Sequence, residues 1–161
     1  MRGGSLMGEA RNTSRGGFRE LRVYKLAFAT AMEIFRGSQS FPKEERYSLT
    51  SQIRRSSRSV AANIAERYRK RQYPAMFSSK LADADAEATE TGVWLDFARE
   101  CGYLTPEVHQ QLGAACEEIG RMLHSMIADP EKFAPRGTVN SARPLYDNGP
   151  KANLPPPLGS R

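Results

Sequence analysis

Residues 74–100 read PAMFSSKLADADAEATETGVWLDFARE. Phe77, Leu81, Ala84, Ala88, Thr91, Leu95 and Ala98 follow one another in alternating steps of four and three, the repeat of a single helical face. At 1.5 Å per residue such a helix runs about 40 Å. Gly102 follows as a C′ residue. Thr105-Pro106-Glu107 then opens another helix, with Thr105 as N-cap and Pro106 at N1. Its apolar positions read Val108, Leu112, Ala115, Ile119, Met122 and Met126, and Asp129-Pro130 closes it.

Toward the N-terminus the same period recurs. Leu21, Tyr24, Phe28, Ala31 and Phe35 predict a first helix that stops at Gly37. A Ser-Gln-Ser-Phe-Pro linker at 38–42 separates it from a second helix, expected to start near Glu44 and to bury Leu49, Ile53, Val60 and Ile64. This helix frays over Arg69 to Tyr73, because the residue before Pro74 is biased out of the α region. Four amphipathic helices with short connections predict an all-α fold, an antiparallel up-down four-helix bundle. The bundle is assigned to residues 18–133. Residues 1–17, with Gly3, Gly4, Gly8, Gly16 and Gly17 among polar residues, are expected to be a disordered segment. Residues 134–161 carry Pro135, Pro144, Pro150, Pro155, Pro156 and Pro157, and are expected to be a Pro/Gly-rich disordered tail.

The chain of 161 residues carries 24 Lys+Arg against 18 Asp+Glu, a net charge of +6. Residues 1–73 hold 16 basic and 6 acidic residues, a net of +10, and residues 74–161 hold 8 and 12, a net of −4. Such asymmetry fits a polyanionic partner or complementary packing of the two halves. No apolar run reaches the roughly 18 residues of a membrane span, and the first residues lack the apolar stretch of a secretory signal. Cys101 and Cys116 are too few for a disulfide scaffold or a four-cysteine zinc site, so a cytoplasmic protein is expected.

Phe41-Pro42-Lys43-Glu44-Glu45-Arg46-Tyr47-Ser48-Leu49-Thr50-Ser51-Gln52-Ile53-Arg54-Arg55-Ser56 resembles the signature stretch of the 23S rRNA intervening-sequence proteins. Ser59-Val60-Ala61-Ala62-Asn63-Ile64-Ala65-Glu66 continues it, and Glu87 to Thr91, Gly102 to Leu104 and Glu118 to Leu123 fit as well. The resemblance, over about residues 18–128, implies a four-helix bundle that assembles as a closed homopentamer. It also implies a link to RNA, and through a related branch to the accessory proteins of diversity-generating retroelements, which bind a reverse transcriptase and nucleic acid. Where the family has Gly after Asn-Ile-Ala-Glu, this chain has Arg67, which lengthens the second helix and adds charge.

The basic residues Arg46, Arg54, Arg55, Arg58, Arg67, Arg69, Lys70 and Arg71 are the nucleic-acid-binding candidates. Arginine suits bidentate phosphate contacts, and Tyr47, on the Arg54/Arg58 side, offers a stacking face for a base. The competing reading pairs Arg54 and Arg58 with Asp83, Asp85, Glu87 or Glu90 of the third helix, within or between subunits. Arg67, Arg69, Lys70 and Arg71 are expected to lie beyond the apolar stripe and to contribute little to the core. Ala84 and Ala88, small residues in a heptad of larger ones, are the expected contacts between subunits.

Asp83, Glu87 and Glu90 share one helical face, but neither His109 nor His124 stands three residues after a Glu, so no di-iron site is expected. Both histidines are read as surface or interface residues, the two cysteines as buried thiols, and Trp94 and Phe97 as core or subunit contacts. No nucleotide-binding or nucleophile motif occurs. The expectation is a non-enzymatic protein without cofactor or metal, binding RNA or acting as a structural oligomer.

Overall fold

The computed structural model describes residues 17–133, so the segments expected to be disordered, 1–17 and 134–161, lie outside the described residues except for Gly17. After a 3-10 turn at Phe18–Glu20, the helices are α1 (Arg22–Gly37), α2 (Leu49–Tyr68), α3 (Pro74–Glu100) and α4 (Pro106–Ala128). α1 packs on α2 and α4, and α3 packs on the same two, which closes a square of antiparallel neighbours. Among the described residues no helix is long and apolar enough to cross a membrane.

α3 follows its sequence pattern at every position. Phe77, Leu81, Ala84, Ala88, Thr91, Leu95 and Ala98 are all buried. Ala84 and Ala88, however, do not wait for a second subunit. They are 0% and 2% exposed inside the chain's own core, with Ala27, Val60, Ile119 and Leu123. Their small side chains let the helices of one bundle approach, and the expectation of a contact between subunits at these two alanines is corrected accordingly.

Three further corrections have local causes. α1 buries Val23, Ala27, Thr30, Ala31 and Ile34, and leaves Phe28 exposed, so its inward face is rotated from the expected aromatic stripe toward smaller residues. α4 likewise turns Cys116 and Leu123 inward rather than Ala115 and Met122. α2 starts at Leu49, not near Glu44, because Lys43–Glu45 form a separate 3-10 turn. The Glu45 carboxylate then folds back onto the helix start, accepting from the Ser48 hydroxyl and from the Leu49 N–H at 3.2 Å. These two hydrogen bonds hold its pKa below the usual carboxylate value.

The α3–α4 connection behaves as its sequence reads. Gly102 has φ +76°, and the Tyr103 and Gly102 N–H groups donate to Ala98 O at 2.8 Å and Arg99 O at 3.0 Å, closing a Schellman motif. Val108 N–H donates to the Thr105 hydroxyl at 3.3 Å, the expected N-cap.

Ala88 borders a void of only about 10 Å³, shared with Ala27, Thr30, Ser57, Val60, Thr91, Cys116 and Ile119. Ala88→Leu is therefore expected to overpack the single-chain core, lowering stability by roughly 1–3 kcal/mol in urea unfolding. A variant as stable as the parent would show that the bundle interior has room the packing denies it.

Candidate nucleic-acid interface

The outer face of α2 bears an open groove of about 530 Å³ lined by Arg46, Thr50, Ser51, Arg54, Arg55, Arg58, Ser59 and Ala62. Steps of four and three place these side chains on one face, opposite the buried Ile53, Val60 and Ile64. Four of the eight basic candidates, Arg46, Arg54, Arg55 and Arg58, are thus brought together.

Arg54 is held from two sides. Its Nε donates to the Ser38 hydroxyl at 2.7 Å, and its guanidinium lies 4.9 Å from the Phe35 ring centroid. Arg58 lies over the same ring at 5.6 Å. The aromatic platform under these arginines is Phe35 of α1, whereas Tyr47 projects into solvent at 87% exposure. Arg55 turns the other way and meets α3, at 2.9 Å from Glu90 and 3.9 Å from Glu87. Among the described residues no carboxylate pairs with Arg46, Arg54 or Arg58. The pairing with helix three considered for Arg54 and Arg58 is made instead by Arg55 and Arg67.

Arg67 differs most from its sequence reading. Its side chain is 9% exposed, 3.1 Å from Glu66 and 3.7 Å from Asp83, and its buried Nε lacks a partner among the described residues. It belongs to the α2–α3 seam, not to a free surface, which corrects the expectation that it contributes little to the core. Arg69, Lys70 and Arg71 follow in the turn after α2, about 16 Å along the axis from Arg58 at its far end. Arg71 donates to Tyr68 O at 3.0 Å and covers the Tyr68 ring at 4.2 Å, tying off the helix end.

The remaining candidates are structural. His109 sits 2.7 Å from Asp96, and His124 3.0 Å from Asp85, each joining α4 to α3. Among the described residues no cluster of three or more His, Cys, Asp or Glu could hold a metal ion. Trp94 donates to Glu90 at 3.0 Å, and beside it Phe97 is exposed. Cys116 is buried, which together with nearby Glu117 pushes its thiol up to about 11, whereas Cys101 is exposed, contrary to its reading as a buried thiol. Thr50, Ser38 and Phe35 were not anticipated as parts of the site. Thr50 carried a signal, standing first in the i, i+4 row Thr50, Arg54, Arg58 of α2.

Residues 19–125 match the family described as 23S rRNA-intervening sequence protein. The chain belongs to this family. The matched span holds all of α1, α2 and α3, most of α4 and every basic candidate. A crystal structure of a protein of unknown function from the S23 ribosomal protein family of Bacteroides thetaiotaomicron VPI-5482 is 31% identical. The alignment covers 65% of this chain and 97% of that one, with a TM-score of 0.59. No curated protein matches the chain.

Two measurements check this geometry. Arg67→Ser is expected to lower the urea midpoint by the equivalent of about 1–3 kcal/mol, since it empties a packed seam, while Arg69→Ser/Lys70→Ser stays within about 0.5 kcal/mol. Equal effects would place Arg67 outside the packed seam. In thiol titration near neutral pH, Cys101 is expected to react in the native protein and Cys116 only after unfolding.

Proposed function

We propose that this member of the family is a non-enzymatic, cytoplasmic RNA-binding protein whose α2 groove tracks a single strand. The observation that carries this reading is the pair Arg54 and Arg58, both within about 6 Å of the Phe35 ring centroid and with no carboxylate among the described residues to neutralise them. Arg54, fixed by both the ring and Ser38, contacts a phosphate without first losing rotamer freedom, and Arg58 is restricted by the ring alone. The groove is open along its length, which suits a strand better than a small metabolite. The family description, naming an intervening sequence of 23S rRNA, supports RNA as the nucleic acid. Arg69 and Lys70 would extend the basic track beyond the groove.

A second reading, a protein-interaction oligomer, draws on a different face. Val93 and Phe97 are exposed, and Phe97 lines a hollow of about 360 Å³ with Leu49, Gln52, Trp94 and Cys101 between α2 and α3. An exposed apolar cluster of this kind is what a homo-oligomer, a pentamer by the family resemblance, or a reverse transcriptase would cover. The two faces are compatible, and the accessory role in reverse transcription would use both.

Fluorescence anisotropy with a short labelled single-stranded RNA tests the main reading. The parent is expected to bind with a steep salt dependence. Arg54→Gln/Arg58→Gln is expected to lower the log–log slope by roughly 1.4, at about 0.7 for each lost phosphate contact, with the melt within about 1 kcal/mol. An unchanged slope would overturn the groove reading, and loss of an oligomer in Phe97→Ser would favour the protein-interaction reading.

A further inference from the structure

The end of the groove nearest the start of α2 differs from the rest. Thr50 is only 8% exposed, and its buried Oγ1 has no hydrogen-bond partner among the described residues although the residue lines the groove. A threonine in a helix ordinarily turns its hydroxyl back to a carbonyl one turn earlier, as Thr30 and Thr91 do here. Thr50 sits in the first turn of its helix and makes no such bond. A buried hydroxyl left unpaired is costly, and a turn about χ1 that carries it from its closed position to a ligand in the groove removes the cost.

The same turn leaves backbone donors open. Glu45 takes the Leu49 N–H, and the Gln52 N–H donates to Ser48 O, but the N–H groups of Thr50 and Ser51 have no acceptor among the described residues. Arg46 and Arg54 line the groove at this level, Arg54 already immobilised by Ser38 and Phe35. The Glu45 carboxylate lies on the other flank of the helix, beside Tyr103 and in the hollow with Trp94, so it does not fill this end of the groove.

We infer that this end of the groove is a phosphate-binding site, seating the terminal phosphate of the strand bound along α2; the inference rests on the RNA reading above. The Thr50 hydroxyl, the Thr50 and Ser51 N–H groups and the guanidinium groups of Arg46 and Arg54 supply its donors. An internal phosphodiester offers two free oxygens and one charge. A terminal phosphate offers three oxygens and close to two charges, which matches the surplus of donors left after Glu45 has taken the Leu49 N–H.

The test compares a short RNA bearing a terminal phosphate, at the 5′ end in one probe and the 3′ end in another, with the same RNA ending in hydroxyls, and adds inorganic phosphate as a third ligand. Thr50→Val keeps the shape of the side chain and removes only the unpaired hydroxyl, so its melt is expected to match or exceed the parent's. The parent is expected to bind one of the phosphorylated RNAs about ten-fold more tightly than the unphosphorylated one. Thr50→Val should lose that ratio while keeping its affinity for the unphosphorylated RNA, and Thr50→Ser should keep the ratio. Equal binding of all three RNAs by the parent overturns the terminal-phosphate site and leaves the RNA reading standing. If no RNA binds but inorganic phosphate raises the melting temperature of the parent and not of Thr50→Val, RNA is overturned as the source and the phosphate site is upheld with free phosphate as its ligand. If neither RNA nor phosphate has any effect, both readings fall.

Discussion

In the middle of the bundle the hydroxyls of Ser56 and Thr91 lie 2.9 Å apart, and the register of α2 depends on that contact. Both residues are buried, and each hydroxyl also reaches a carbonyl of its own helix, Ser56 to Ile53 O and Thr91 to Glu87 O. The polar groups are thus satisfied where water is absent, so burying them does not carry the cost of an unpaired hydroxyl. Larger side chains would hold α2 and α3 further apart. With Ser56 pinned toward α3, the 100° step of the helix dictates the direction of every arginine on α2. Arg67 follows Val60 and Ile64 into the seam, Arg55 is turned to the acidic side of α3, and Arg54 and Arg58 fall on the side of α1.

This sorting also explains what the charge asymmetry along the sequence amounts to. Part of it is internal neutralisation, since Glu87, Glu90 and Asp83 of α3 face Arg55 and Arg67 of α2. Another part is not, because α1 offers Arg54 and Arg58 an aromatic ring and a serine instead of a carboxylate. Pairs such as Arg55 with Glu90 are partly exposed, and exposed pairs add about 0–1 kcal/mol at most. Their consequence is therefore orientation rather than stability. They withdraw one arginine from the groove and leave its neighbours available.

The fold was legible because seven residues of α3 alternate steps of four and three without a slip, even though Met76, Val93 and Phe97 place apolar side chains on its outer side as well. α1 and α4 were harder because their apolar residues cover more than one face. In α1, Ala27, Thr30 and Ile34 compete with Tyr24, Phe28 and Phe35, and periodicity alone prefers the bulkier set. Close packing against α2 and α4 selects the smaller one. The reading of Ala84 and Ala88 failed for a related reason, since small residues in a heptad mark a close approach without saying whether the neighbour belongs to the same chain. Arg67 was legible in principle. It continues the spacing Ile53, Val60, Ile64 by a further step of three, and only its charge argued against a buried position. Thr50 was legible as a neighbour of Arg54 in the groove row but not as an unpaired hydroxyl, which is a property of the folded surroundings.

The rotated register of α1 is what turns a row of arginines into a groove. With Phe35 in the core, as its spacing from Ala31 and Phe28 suggests, Arg54 and Arg58 would project freely and sample many rotamers. Displaced to the flank, Phe35 gives up part of its burial and provides a surface on which two guanidinium groups lie together. An arginine side chain carries about 2 kcal/mol of rotamer entropy, and a ring contact at such a site returns roughly 0.5–1 kcal/mol. The ring contact alone therefore does not immobilise both arginines. For Arg54 the Ser38 hydrogen bond adds to it, and Ser38 is itself buried, fixed in the 3-10 turn that ends α1. Arg54 is accordingly the more rigid of the two and Arg58 the more adaptable. That difference makes the groove stiffer beside the α2 N-terminus and more adaptable toward Ala62.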